Sequence, residues 1–179
     1  HGYCQAGQHW HWDGVDFKML SPGTEPFKAE NDNSCVLQIS TARQRLLLTG
    51  DIQQSAENWL VARYGDALAS SVLVAPHHGS KTSSSSGFLR QVRPDLVLIP
   101  AGYKNRFGFP HAAVLRRYEA LRIKSLGTAE AGAISLKTAG AVMEVELARQ
   151  RLRKYWMDGG RPGTISAGVN GADSAPRPD

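Results

Sequence analysis

Two short motifs carry side chains able to do chemistry, Leu47-Leu48-Thr49-Gly50-Asp51 and Val74-Ala75-Pro76-His77-His78-Gly79-Ser80. Each sets metal-capable groups directly after an apolar run that reads as a buried strand. Strand C-termini suit such groups, because the sheet fixes the backbone while the loop beyond opens to solvent. Asp51 offers a hard anionic oxygen that can bridge two divalent cations. His78 offers an imidazole nitrogen suited to zinc, manganese or iron. Gly50 and Gly79 let the chain turn sharply beside them. Alone, a strand-end Asp is more often a turn former, and a His pair more often a surface or core group. Both motifs in this order, one helical segment apart, favour a metal site.

Two loops could hold an anionic substrate near that site. Ser80, Lys81, Thr82 and Ser83, in a run of serines to Ser86, bring hydroxyls, backbone N–H groups and one cation ahead of a helix. That suits a phosphate, and equally a flexible loop ending in a serine helix cap. Lys104, Asn105 and Arg106 follow a second strand and can hold a nucleic-acid backbone electrostatically. Arg149, Arg151, Arg153 and Lys154 form a basic cluster beside Tyr155 and Trp156, read as a solvated chain end or as a contact for lipid headgroups or DNA.

The elements that must position these residues alternate between strand and helix. Strands are predicted at 15–20, 34–40, 45–49, 72–75 and 96–99, with 123–126, 133–136 and 141–147 completing the sheet. Helices are predicted at 55–64, 88–92 and 112–121. In the first of these Ala56, Trp59, Leu60 and Tyr64 share a face, and in the last Leu115, Tyr118 and Leu121 point inward. Short, wholly apolar strands between helices imply strands covered on both faces, hence an α/β layered domain. Residues 158–179 are rich in Gly, Pro, Ser and Ala and should be a disordered tail, because they cannot bury enough surface to offset ordering entropy.

The bulk properties fit this picture. The 179 residues suffice for one domain, and 41% hydrophobic with 21% charged residues is the profile of a globular protein. The +5 net charge, from 21 Lys+Arg against 16 Asp+Glu, favours acidic partners such as nucleic acid or anionic lipid. No apolar run reaches the roughly 20 residues that span a bilayer, and no signal peptide opens the chain. It starts at His1 rather than Met and reads as a piece of a longer polypeptide. Cys4 and Cys35 are too few for a disulfide framework. Whether they pair is open, and a pair would imply an oxidising compartment.

The run Pro76-His77-His78-Gly79-Ser80-Lys81-Thr82-Ser83-Ser84-Ser85 resembles the signature loop of the C-terminal metallo-β-lactamase-like domain of ComEC-type DNA-uptake proteins. Thr49-Gly50-Asp51 before it and Pro100-Ala101-Gly102-Tyr103-Lys104-Asn105-Arg106-Phe107-Gly108 after it stand in the family's order. The resemblance implies an αββα sandwich with a dinuclear site for two divalent metal ions, zinc or manganese. Asp51 would be the bridging carboxylate, His78 a ligand of the second metal, and His77 an outer-shell or substrate-side group, with the choice between the two histidines open. Residues 1–157 would then be a partial domain, because the fold's main metal motif, H-x-H-x-D-H, is expected upstream. His9-Trp10-His11-Trp12-Asp13-Gly14 imitates that motif, but a strand-like alternation follows it, so His9 and His11 read as one face of a strand with Trp10 and Trp12 on the other. His111 could stand in for a histidine the family often has directly after this glycine, or simply begin the next helix.

The function so implied is metal-dependent phosphodiester hydrolysis of one DNA strand during transformation, with the isolated piece inactive. Its partners would be DNA (a single strand or a duplex backbone), the membrane channel domain of the same polypeptide and the DNA-uptake machinery. The protein would sit in the bacterial inner membrane, with this soluble domain on the periplasmic or the cytoplasmic side, the former favoured. The alternative is a non-catalytic DNA-guiding module beside the channel.

Overall fold

The computed structural model describes residues 3–139 and 142–152. Seven strands form one sheet whose spatial order follows the sequence: β1 (His9–Trp12), β2 (Val15–Ser21), β3 (Val36–Ser40), β4 (Arg45–Leu48), β5 (Val72–Val74), β6 (Leu96–Ile99) and β7 (Lys124–Gly127). The first four pair antiparallel. From β4 to β7 every pairing is parallel. The switch follows from the connections. Short turns join β1 to β2 and β3 to β4, and a longer loop at 22–35 joins β2 to β3, whereas the parallel strands are linked through α1 (Gln54–Tyr64), α2 (Ser86–Val92) and α3 (Ala112–Ala120), the long crossovers that parallel pairing requires.

Alternation along the strands divides the apolar side chains between two faces. Leu47, Leu73, Val97 and Ile99 meet Ala56 and Leu60 of α1, Phe88 and Leu89 of α2, and Val114 and Tyr118 of α3 in the main core. Leu46, Val72, Leu96 and Leu98 face the other way. Covering both faces explains why these strands are continuously apolar.

The layered α/β architecture expected from the sequence is observed, with two differences. The last two strands, β8 (Ile134–Ala139) and β9 (Val142–Leu147), do not complete the main sheet; they pair with each other as a separate antiparallel hairpin. Leu136, Met143 and Val145 pack over the second face of β4 to β7. Apolar alternation identifies a strand but not the sheet it joins. In α3, Leu115 is exposed and Val114 takes the inward place beside Tyr118. Two single-turn helices, α4 (Thr128–Ala131) and α5 (Ala148–Arg151), flank the hairpin. The expected strand face of His9 and His11 is present, with both rings beside Asp16, at 3.5 Å and 3.0 Å, while Trp10 stacks on Phe17 of β2. Arg149 and Arg151 lie in α5. Arg153, Lys154, Tyr155, Trp156 and the tail 158–179 lie outside the described residues.

No helix among the described residues is long and apolar enough to cross a membrane. Cys4 and Cys35 form a disulfide with their Cα atoms 5.9 Å apart.

Candidate metal site at the strand ends

The C-terminal ends of β4, β5 and β6 converge on one rim, and hydrogen bonds lock them together. The buried Thr49 hydroxyl donates to the Val74 carbonyl at 2.8 Å, joining the end of β4 to β5. Gly50 adopts φ +55°, and a Cβ there would stand 2.8 Å from the Ser34 Cβ, so only glycine fits the turn. The Asp51 N–H donates to the Ser34 hydroxyl at 3.1 Å. The His77 N–H donates to the Gly50 carbonyl at 3.0 Å, which stitches the second motif to the first.

His77 and His78 both have left-handed backbones, with φ 48° and 56°. For residues other than glycine this conformation costs roughly 1–3 kcal/mol each and clusters at functional sites. Here it swings the His78 ring over the end of β4. Its Nε2 stands 3.5 Å from Oδ1 of Asp51, and its Nδ1 lies 2.9 Å from the Pro100 carbonyl at the end of β6. A carbonyl only accepts, so Nδ1 carries a proton, and Nε2 is the nitrogen that faces Asp51. Both side chains are a little under half exposed. The buried Nδ1 of His77 has no hydrogen-bond partner among the described residues, and its ring meets Phe109 edge-on at 5.7 Å.

These donors fit a divalent cation as part of a ligand set. Two ligands at bonds of about 2.1 Å and a tetrahedral angle stand roughly 3.4 Å apart, close to the observed 3.5 Å. Among the described residues no group of three or more His, Cys, Asp or Glu is placed to hold a metal ion. Asp51 and His78 are thus two donors where a stable site needs more.

The other sequence candidates divide into those that reach solvent and those that build the rim. Lys81 and Thr82 are exposed, whereas Ser80 and Ser83 are buried. The Ser80 hydroxyl meets that of Thr82 at 3.0 Å, and the Ser83 hydroxyl donates to the carbonyls of Pro76 and Ser80. Ser85 caps α2 by accepting from the Phe88 N–H, so the cap reading of this loop is observed. Lys104 and Arg106 are exposed on the loop after β6. Asn105 between them turns inward. Its carbonyl oxygen accepts the Phe109 N–H, and its NH2 donates to the carbonyls of Gly102 and Phe109. His111 caps α3, its Nδ1 accepting from the Ala113 N–H at 3.3 Å.

Sequence reasoning missed the residues that make this rim rigid. The carboxylate of the fully buried Glu57, on α1, accepts the N–H groups of Ser84 and Ser85. Burial pushes its carboxyl above the ordinary carboxylate value, outweighing the opposing hydrogen bonds from Ser85 and Ser84 and the nearby Arg117. Arg117 of α3 donates to the carbonyls of Ser83 and Ser84. Tyr118 shares a 2.8 Å hydrogen bond with the Ser84 hydroxyl, and burial pushes its phenol up to about 12. Asp32, also buried, accepts from Gln53 N–H at the start of α1. One signal was available: Glu57 lies on the same helical stripe as Leu60 and Tyr64, a charge where the pattern calls for an apolar group.

The chain is similar to competence protein ComA of Neisseria gonorrhoeae, 41% identical over 150 residues, which are 84% of this chain and 21% of the relative. It is 34% identical to recombination protein 2 of Haemophilus influenzae over 154 residues, 86% of this chain and 19% of that protein. It is 32% identical to ComE operon protein 3 of Bacillus subtilis over 123 residues, 69% of this chain and 16% of that protein. The chain thus spans about a fifth of the length of these relatives. No family model matches it. These findings correct the resemblance drawn from the motifs. The likeness is to competence and recombination proteins, and assignment to the C-terminal metallo-β-lactamase-like domain of ComEC is not supported and is withdrawn.

Proposed function

We propose that the chain is a nucleic-acid-processing part of a DNA-uptake protein, carrying part of a metal-dependent phosphodiesterase site. The observation that carries this reading is the convergence of Asp51 and His78, with Nδ1 of the histidine held by the Pro100 carbonyl. The names of the relatives, a competence protein and a recombination protein, support this setting. Asp51 and His78 would hold the metal ions, zinc or manganese, with further ligands supplied from outside the described residues. Such ions, when bound, supply hydroxide near neutral pH and neutralise charge on phosphate oxygens. The residues of this chain do the rest. The Pro100 carbonyl holds the Nδ1 side of His78, leaving Nε2 to face Asp51, and the clamp of buried Glu57 and half-buried Arg117 keeps the rim in place. Lys81, Lys104 and Arg106 draw a phosphate backbone toward it.

The remaining features are consistent with this setting. The apolar second face of the sheet, packed by the β8–β9 hairpin, is consistent with one half of a metallo-β-lactamase-type αββα sandwich. The Cys4–Cys35 disulfide favours an oxidising location, so we place the domain on the periplasmic side of a bacterial inner membrane. There it would work beside a channel domain of the same longer polypeptide and the rest of the uptake machinery.

The test is DNA hydrolysis by the longer polypeptide and by this chain alone. Asp51→Ala and His78→Ala should each lower the rate in the longer protein by about a hundredfold or more, and the chain alone should cleave little or nothing. Unchanged rates in both variants would remove the pair from the mechanism. The small donor count among the described residues favours a second reading, a DNA-guiding module without catalysis. That reading predicts a longer protein that binds DNA but never cleaves it.

A further inference from the structure

The loop that leaves β6 displays two exposed aromatic rings. Tyr103 is 67% exposed and Phe107 is 61% exposed. Each carries a cation over one face: the Lys104 ammonium lies 5.4 Å from the Tyr103 ring centre, and the Arg106 guanidinium 4.8 Å from that of Phe107. Much of each ring nevertheless stays open to solvent, and an arginine plane is itself a stacking surface.

The loop is built to hold this display still. The Asn105 side chain makes three hydrogen bonds to the backbone at Gly102 and Phe109, which fixes the residues on either side of it. A rigid display costs a ligand less ordering entropy than a floppy one.

The rings also lead inward. Phe107 stacks on Phe109 with centres 5.6 Å apart, and Phe109 stacks on His78 at 6.4 Å. His78 reaches Asp51 at 3.5 Å. An aromatic ladder therefore runs from solvent to the strand-end site.

We infer that Tyr103 and Phe107 form a base-stacking platform, and that the ligand of this rim is single-stranded nucleic acid. The inference rests on the reading of the site as one that acts on a nucleic-acid backbone, and it adds the strand state. Bases in a duplex are already stacked and offer no free faces, whereas an unpaired strand offers one at every position. The interleaved cations suit the backbone between the bases. A base that meets Phe107 would sit at the outer end of the ladder, which leads through Phe109 to His78 and Asp51. A bilayer surface could also take exposed rings and cations, but it could not follow the ladder inward.

The experiment measures binding of a short fluorescently labelled oligothymidylate to the 179-residue chain by anisotropy. A blunt duplex of the same length is the comparison. Chelator is present throughout, so no metal chemistry contributes and a failure here is separate from a failure of the hydrolysis reading. Each of Tyr103→Ala and Phe107→Ala should weaken single-strand binding by about tenfold, and the double variant by more, with duplex binding changed less than about threefold. Tyr103→Phe should restore affinity, because stacking does not need the hydroxyl. Lys104→Ala with Arg106→Ala should weaken both ligands and flatten their salt dependence. Equal losses on both ligands, or no loss on the single strand, would overturn the platform. So would a chain that binds vesicles of anionic phospholipid through the same rings and ignores the oligonucleotide. Circular-dichroism melting confirms that the exposed substitutions leave the fold intact.

Discussion

The imidazole of His78 stands 3.5 Å from the carboxylate of Asp51, held there from its far side by the Pro100 carbonyl. Three strand ends thus fix one donor pair. Because Nε2 and the carboxylate are held at the spacing of two ligands of one ion, the pair should take up zinc weakly even in this chain alone. Asp51→Ala and His78→Ala should each lower that affinity by at least about tenfold, measured by competition with a chromophoric chelator. Equal affinity in wild type and both variants would show that the pair is an ordinary hydrogen-bonding contact.

Glu57 gives the protein a pH signature of its own. Burial raises its carboxyl above the ordinary carboxylate value, so the native state binds a proton more readily than the unfolded chain does. Wherever the native state holds more protons, stability falls as pH rises. The loss should run from the ordinary carboxylate value up to the raised value of Glu57 and then level off. Urea unfolding across this window should show that component in the wild type and not in Glu57→Gln. Glu57→Ala leaves the Ser84 and Ser85 N–H groups without their acceptor, at about 1–3 kcal/mol each. A wild-type stability flat across the window would sink this account.

The legible part of the molecule is the part governed by local pattern. Unbroken apolar runs, such as Val72, Leu73 and Val74, declared the central strands, and the glycines at 50 and 79 marked the sharp turns beside Asp51 and His78. Sequential parallel pairing of β4, β5 and β6 then brought the two motifs together. What stayed hidden depends on tertiary choices. The β8–β9 hairpin has the same alternation as a main-sheet strand, and only packing against Val72 and Leu96 decides its place. Asn105 looked like part of a basic run, yet its amide serves its own loop. Lys81 and Ser83 are close neighbours in one polar run, one exposed and the other buried, because Glu57 and Arg117 arrive from distant helices to hold the backbone.

The Cys4–Cys35 disulfide should matter to the site as well as to the fold. It joins positions 31 apart in sequence, and closing a loop of that size removes about 3–4 kcal/mol of entropy from the unfolded chain. Cys35 sits between Ser34, whose hydroxyl accepts the Asp51 N–H, and Val36, which is buried at the start of β3. Cutting the bond releases the segment against which the Asp51 turn is built. Cys4→Ser, or reduction of the wild type, should lower unfolding free energy by about 2–4 kcal/mol and steepen the denaturant slope, since an uncrosslinked unfolded chain exposes more surface. Backbone amide exchange at Gly50 and Asp51 should speed up more than at Val97, deep in the core. If stability falls while exchange at the Asp51 turn keeps pace with Val97, the crosslink acts on the unfolded chain alone and its link to the site fails.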